Sequence, residues 1–332
     1  MESRKIAVIG GGSWATAIAK ILLHNHEHLY WWVREEEIRQ GLQSEGVNPL
    51  YLSSVEFPVE RLTVSNDVRE IARQVQTLVL VVPAVYLPGA LQGLEPELLR
   101  SKLLCSATKG IVPEKNQVVC EYLRDFYAVP EENMAVISGP SHAEEIALNR
   151  LTYLTAAARN AELAQYVARC FACEYVNTRC SDDLYGIEYA AVLKNVYALA
   201  VGIAKGLGYG DNFVAVLVSC AADEMKRFLN LIHAIDRNLH SAPYLGDLLV
   251  TAYSQFSRNR TFGNMIGQGY SVRSAILEMK MVAEGYYAAG SLNEVKRNFD
   301  IRMPVFEAVH AVLYRNRPPR QVFRELSDLL SI

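Results

Sequence analysis

The chain has 332 residues, a length that favours two domains, and 51% of it is hydrophobic, enough for two buried cores. The formal net charge of −3 excludes a polyanion-binding protein with a general excess of Lys and Arg, so no nucleic-acid partner is expected. MESRKIAVIG lacks the apolar core and cleavage site of a signal peptide, and no stretch approaches about 18 uninterrupted apolar residues, so a cytoplasmic protein without stable membrane insertion is expected.

The first half alternates short apolar runs with helical patterns. Ile6–Ile9 reads as a buried strand ending in glycines, followed by a helix over Trp14–His24. Further strands are predicted at His28–Val33, Thr77–Val82, Leu103–Ala107 and Met134–Ser138, each ending at a turn. Strands alternating with helices indicate an α/β fold with a parallel, doubly wound sheet, whose ligands bind at the carboxyl ends of the strands. After about residue 180 helical patterns dominate: Asp182–Lys205, Asn212–Leu229, Pro243–Ser254, Ser271–Ala289 and Met303–Arg315. The expected division is therefore a dinucleotide-type domain over 1–180 and an all-α domain over 181–332, with a cleft between them. The longest apolar stretch, Tyr189–Ala204, carries Lys194 and Asn195 in its middle.

The six cysteines are scattered through apolar surroundings. Cys170 and Cys173 have C-x-x-C spacing, but they lie in the helical pattern AELAQYVARCFACEY and no second ligand pair follows. A structural role is favoured over a redox or zinc motif, and no metal is expected.

Gly10-Gly11-Gly12-Ser13-Trp14-Ala15 follows the first strand and opens the first helix, matching G-x-G-x-x-A. Gly10 permits the tight turn, Gly12 lets the backbone approach a pyrophosphate, and the small Ala15 allows helix and strand to pack closely. The helix N-terminus then offers unpaired N–H groups to the phosphates. A structural glycine turn is the plain alternative, but the strand–turn–helix context favours a dinucleotide. The second strand ends at Val33-Arg34, where an acid would hold a ribose 2′-hydroxyl and an Arg can accept a 2′-phosphate. Glu35, Glu36 and Glu37 read as the first turn of a helix. NADP is thus slightly favoured and NAD stays open, with an exposed helix-opening Arg as the alternative.

Ser106-Ala107-Thr108-Lys109-Gly110 follows one strand, and Ser138-Gly139-Pro140-Ser141-His142-Ala143-Glu144 follows the next. The second loop offers glycine, hydroxyl and backbone N–H groups to an oxygen-rich ligand. In the second half, Leu193-Lys194-Asn195 lies inside an apolar helix, where polar groups are costly to bury without partners. A buried lysine near other cations has a lowered pKa and can act as a base near neutrality; a snorkelling surface lysine is the alternative. Gly246-Asp247-Leu248 supplies an acid that could hydrogen-bond a hydroxyl or orient Lys194. Ser257-Arg258-Asn259-Arg260 offers a planar fork for phosphate with donors beside it, or else a solvated basic loop.

Taken in order, GGGSWATAIA, SATKGI, SGPSHAEE, GIEYAAVLKNVYALAVGI, GLGYGDN, GDLLVT and SRNRTFG resemble the bacterial-type NAD(P)-dependent glycerol-3-phosphate dehydrogenases. VAEG (282–285) and RMPVFEAVHAVLY extend the resemblance across essentially the whole chain. It implies a Rossmann-type domain followed by an α-helical domain, often as a homodimer. It implies that Ser13, Trp14, Arg34, Ala143, Val282 and Glu284 contact the dinucleotide alongside Gly10 and Gly12. Lys109 would lie between cofactor and substrate, and Arg258 would touch both. Gly139, Ser141, Asp247, Ser257 and Asn259 would hold glycerol 3-phosphate, and Lys194 would be the proton acceptor. The chain departs from the pattern at Ala15 and Ala191, where glycine is usual, and at His142, often Phe. SCAADEM (219–225) also lacks a common Arg.

The implied chemistry is reversible hydride transfer between NAD(P)H and dihydroxyacetone phosphate, giving glycerol 3-phosphate for glycerophospholipid synthesis. The rival readings are a related hydroxy-acid dehydrogenase, which would need carboxylate recognition, and an inert NAD(P)-sensing protein on the same fold.

Overall fold

In a computed structural model, which describes residues 4–279 and 283–330, the chain divides into two compact units. The first comprises Met1–Thr108 and Val119–Leu184, the second Lys109–Val118 and Tyr185–Ile332. Where a division after residue 180 is expected, the chain instead changes unit after Leu184, and the ten residues from Lys109 to Val118 group with the helical unit.

The first unit is built on β1 (Ile6–Ile9), β2 (Leu29–Trp32), β3 (Leu62–Ser65), β4 (Thr77–Leu80) and β5 (Leu103–Ser106). After the hairpin strands β6 (Ile111–Val112) and β7 (Gln117–Val118) of the second unit come β8 (Met134–Ser138), β9 (Thr152–Ala157) and β10 (Val176–Ser181). The sheet order is β10-β9-β8-β5-β4-β1-β2-β3. Its pairs are parallel except β8 with β9. The chain leaves β1 toward β2 and β3, then returns to β4 on the other side of β1. That reversal is the switch point at which such sheets bind ligands.

Register makes the edge level. Ile9 pairs with Trp32 and with Leu80, and Leu80 pairs with Ser106, so the loops after β1, β2, β4 and β5 emerge side by side. β1 and β4 are buried along their length, as expected for strands covered on both faces. The helix Ser13–Asn25 packs on this sheet together with Ala143–Ala147 and Ala161–Phe171, the last capped by Asn160. Ile18, Ile21, Leu22, Trp31, Val79 and Phe171 share their core.

The second unit is mostly helical. Leu184–Gly206 and Asp211–Ile232 match the expected patterns closely. Leu184–Gly206 is long and apolar enough to cross a membrane, but it is buried inside the fold. A π-helical turn, Ala242–Gly246, leads into Asp247–Tyr253, then Arg258–Gly267. The single helix expected over Ser271–Ala289 is divided into Val272–Glu278 and Glu284–Lys296, with residues 280–282 outside the described chain. Pro304–Tyr314 and Pro319–Leu330 complete the unit.

One crossing sets the spacing of the second unit. A Cβ on Gly202 would lie 2.1 Å from Arg260 O, and one on Gly263 would lie 2.3 Å from Leu199 O. Gly206 and Gly267 make equivalent approaches one turn further along. The helices therefore meet backbone to backbone, and the obstructing atoms are main-chain carbonyls that cannot rotate away. Gly263→Ala is expected to cost roughly 1–3 kcal/mol or more by overpacking. A thermal melt should show the midpoint falling by about 2–4 °C per kcal/mol; an unchanged midpoint would show that the helices separate freely.

Candidate active site

The glycine turn lies at the switch point of the first unit. Gly10 has φ of 141°, and a Cβ there would meet Val81 C and O at 3.0 Å. Only glycine fits that conformation and that approach. Gly12 N-caps the helix Ser13–Asn25, and a Cβ built on it would point into open space, leaving room for a ligand at the backbone. Ala15 is fully buried, as close helix–strand packing requires. A 13-residue helix whose N-terminus faces such a gap fits the diphosphate of a dinucleotide.

Around the turn, Ser13 is buried and the Trp14 indole donates to Ala107 O at 3.0 Å, tying the turn to the loop after β5. Arg34 is 68% exposed at the end of β2, paired with Glu35 and 5.7 Å from the centre of the Tyr86 ring. Glu35 N-caps the helix Glu36–Ser44, and its Oε2 lies 3.4 Å from a Cβ placed on Gly11. The loop after β8 carries Gly139 and Ser141, whose hydroxyl donates to Gly139 O at 2.8 Å. Ala143 opens the short helix that follows.

The second unit gathers the charged residues. Lys194 lies mid-helix in Leu184–Gly206, only 4% exposed, and Asp247 is 1% exposed. Lys194 Nζ donates to Asp247 Oδ1, while Lys109 Nζ lies 3.8 Å from Asp247 Oδ2. One carboxylate thus bridges two lysines. Burial pushes the Lys194 ammonium down to about 7; Asp247 opposes that shift, and Lys109 reinforces it. Asp247 opens its helix directly after the π-helical turn, a local widening often found at functional sites, and Thr251 Oγ1 donates to its carbonyl at 2.6 Å.

A run of amides lies beside this trio. Gly285 N donates to Asn259 Oδ1 at 2.9 Å, Asn259 Nδ2 to Asn195 Oδ1 at 2.9 Å, and Asn195 Nδ2 to Lys109 O at 2.8 Å. The run links three helices to the segment that bears Lys109. Asn259, expected to hold substrate, has its acceptor committed to this run. Ser257 caps the helix that Arg258 opens, accepting from Arg260 N at 3.3 Å, and Arg258 is exposed. Glu284 begins the helix next to Gly285. Val282 lies outside the described residues.

Comparison with known proteins decides the family. Residues 5–164 match the model of the NAD-dependent glycerol-3-phosphate dehydrogenase N-terminus, and residues 183–324 match that of its C-terminus. A glycerol-3-phosphate dehydrogenase [NAD(P)+] of Salinibacter ruber is 36% identical, covering 98% of this chain and 94% of its own. One from Syntrophotalea carbinolica is 34% identical, covering 97% and 96%. The crystal structure of glycerol-3-phosphate dehydrogenase from Coxiella burnetii superposes with a TM-score of 0.90 at 30% identity, covering 98% of each chain. The chain belongs to the NAD(P)-dependent glycerol-3-phosphate dehydrogenase family.

As a member of that family it is an oxidoreductase of the NAD(P)-dependent class, and the hydroxy-acid and inert-sensor readings are not favoured. The residues brought together are Lys109, Lys194 and Asp247 in one unit, and Gly10, Gly12, Ser13 and Trp14 in the other. Sequence reasoning missed Asn195 as a partner of Asn259, although a buried Asn beside Lys194 was itself the signal. Nor does the sequence single out Trp31 and Asn48, which donate to Gly10 O and Gly11 O across long stretches of chain.

Proposed function

We propose that this chain catalyses reversible hydride transfer between NAD(P)H and dihydroxyacetone phosphate, giving sn-glycerol 3-phosphate, with Lys194 as the proton donor and acceptor. The observation that carries the proposal is the buried Lys194–Asp247–Lys109 cluster, which brings a lysine that ordinarily titrates near 10.5 to about 7. At that value both protonation states are populated near neutrality, as a reversible acid–base catalyst requires.

The dinucleotide, when bound, supplies or accepts the hydride at its nicotinamide ring. Gly10, Gly12, Ser13, Trp14 and Ala143, all of the first unit, would hold its diphosphate and neighbouring groups. The C2 oxygen of the substrate hydrogen-bonds to Lys194 Nζ. In reduction the ammonium stabilises the developing alkoxide and then gives it a proton; in oxidation the amine takes the hydroxyl proton. Asp247 keeps Nζ aimed, and the Lys109 cation adds to the field that favours negative charge on oxygen. Arg258 would offer a planar fork to the phosphate, with Ser257 and Asn259 of the same unit as polar partners.

The test is a spectrophotometric assay of dihydroxyacetone phosphate reduction, run with NADH and with NADPH; absence of oxidation with both would refute the function. We propose a modest preference for NADPH through Arg34. Arg34→Ala is expected to raise the KM for NADPH by about tenfold, the scale of one charged hydrogen-bonding contact, and to move that for NADH little. Equal changes in both would remove Arg34 from 2′-phosphate recognition.

A further inference from the structure

A glycine turn that receives a diphosphate faces an electrostatic difficulty. Its N–H groups attract the anion, but each peptide also carries a carbonyl that repels it. The three carbonyls of Gly10, Gly11 and Gly12 are all engaged by donors from within the first unit. The indole of Trp31, in the middle of β2, donates to Gly10 O at 2.7 Å. Asn48 Nδ2 donates to Gly11 O at 2.9 Å. Thr16 Oγ1 donates to Gly12 O at 3.2 Å, besides the ordinary helical bond from Thr16 N at 3.0 Å.

We infer that Trp31 and Asn48 are positioning residues for the dinucleotide: they turn the Gly10 and Gly11 carbonyls inward so that the N–H groups of the turn face the diphosphate.

Asn48 is fully buried, and its amide is saturated. One Nδ2 hydrogen goes to Gly11 O and the other to Thr16 Oγ1 at 2.9 Å, while Oδ1 accepts Leu50 N at 3.2 Å and Tyr51 N at 3.1 Å. Only this amide orientation works, because Gly11 O can only accept and the two backbone N–H groups can only donate. The proton directions then continue: Asn48 donates to Thr16, and Thr16 donates to Gly12 O, so a single buried amide orders two of the three carbonyls. Trp31 is likewise fully buried, and its ring packs edge-on against Phe57 at 5.3 Å between centroids. Its indole N–H is spent on a loop carbonyl rather than on its own strand. Neither side chain lies in the gap beyond Gly12, so both act through the backbone.

The inference rests on the glycine turn being the dinucleotide site. Three variants separate the two claims: Gly12→Val, Trp31→Phe and Asn48→Asp. Trp31→Phe keeps a ring but removes the N–H. Asn48→Asp keeps the acceptor for Leu50 and Tyr51 but can no longer donate to Gly11 O. Steady-state kinetics of dihydroxyacetone phosphate reduction with varied NADPH, NADPH and ADP titrations, and thermal melts would be recorded for each. For Trp31→Phe the expected result is about a tenfold rise in the KM for NADPH and in the Kd of ADP. The KM for dihydroxyacetone phosphate and the kcat at saturating NADPH should stay within about twofold, because the carbonyls act only on dinucleotide binding. Asn48→Asp should show the same split, more strongly, since its carboxylate opposes both the Gly11 carbonyl and the diphosphate. A lower melting midpoint with an unchanged NADPH KM in both variants would mean a structural role only and would overturn the inference. If Gly12→Val also left NADPH and ADP affinity unchanged, the site itself would be misplaced; if it alone weakened them, only the positioning role would fail.

Discussion

Replacing Lys194 with alanine is expected to reduce dihydroxyacetone phosphate turnover by at least about four orders of magnitude, while NADPH binding survives. General acid–base catalysis by a positioned group contributes up to about 10⁴-fold, and on the proposed mechanism removing Lys194 also deletes the cation that faces the developing alkoxide. Dinucleotide binding is retained because the glycine turn belongs to the other unit. Stopped-flow turnover alongside an NADPH fluorescence titration would check both halves; turnover near that of the unmodified chain would end the assignment. The wild-type pH dependence carries a matching sign. Lys194 titrates at about 7, held down chiefly by burial. If Lys194 is the acid–base group proposed, reduction uses the ammonium, so kcat/KM for dihydroxyacetone phosphate should be flat below about 7 and fall about tenfold per unit above it. Oxidation uses the amine, so kcat/KM for glycerol 3-phosphate should rise through about 7 and level off above. Profiles sloping in the same direction would contradict the shared role of one lysine.

The sheet was legible where strands are buried on both faces. IAVI, TLVLVV and MAVIS are apolar but for a terminal Thr or Ser, and β1, β4 and β8 are buried along their length. β3 and β10 were not predicted, for a physical reason: they are the sheet edges, and VNTRCS is half exposed, so no apolar run marks it. Its neighbour β9 was also missed, although its residues are buried apart from Tyr153. The helix Arg258–Gly267 was missed because its contact with Leu184–Gly206 is made by glycine backbones rather than by an apolar stripe. At the candidate site, Lys194 and Asn195 stand out as polar groups in an apolar helix, whereas the pairing of Asp247 with Lys194 is only one of two readings until the two are seen together. Asn48 does not stand out, since VNPLYL reads as a plain turn until Gly11 and Thr16 are seen against it. Side chains whose partners lie far along the chain leave no local pattern to read.

Asp247→Asn tests whether the carboxylate tunes Lys194 or merely fills space. The substitution conserves shape but removes the carboxylate charge that lies between Lys194 and Lys109, whose side chains are 5% and 16% exposed. With attraction to Asp247 gone and repulsion from Lys109 left, the Lys194 pKa must fall further below 7, because both surviving influences, burial and Lys109, act downward. The ammonium form then becomes scarce at neutral pH, and the amine loses the partner that aims it; a misplacement on the order of 1 Å alone can lose 10²-fold. Reduction at pH 7 is expected to fall by roughly 10²- to 10³-fold. Removing one partner of a buried ion pair also costs about 3–5 kcal/mol when the other stays charged, but here the lysine can escape that cost by giving up its proton. The loss of stability should therefore be smaller near pH 8 than near pH 6, and the rise in the oxidation profile should move to lower pH. A structural role alone would reduce the active fraction and leave that limb in place. The position of the limb, more than the size of the rate loss, is what separates tuning from packing.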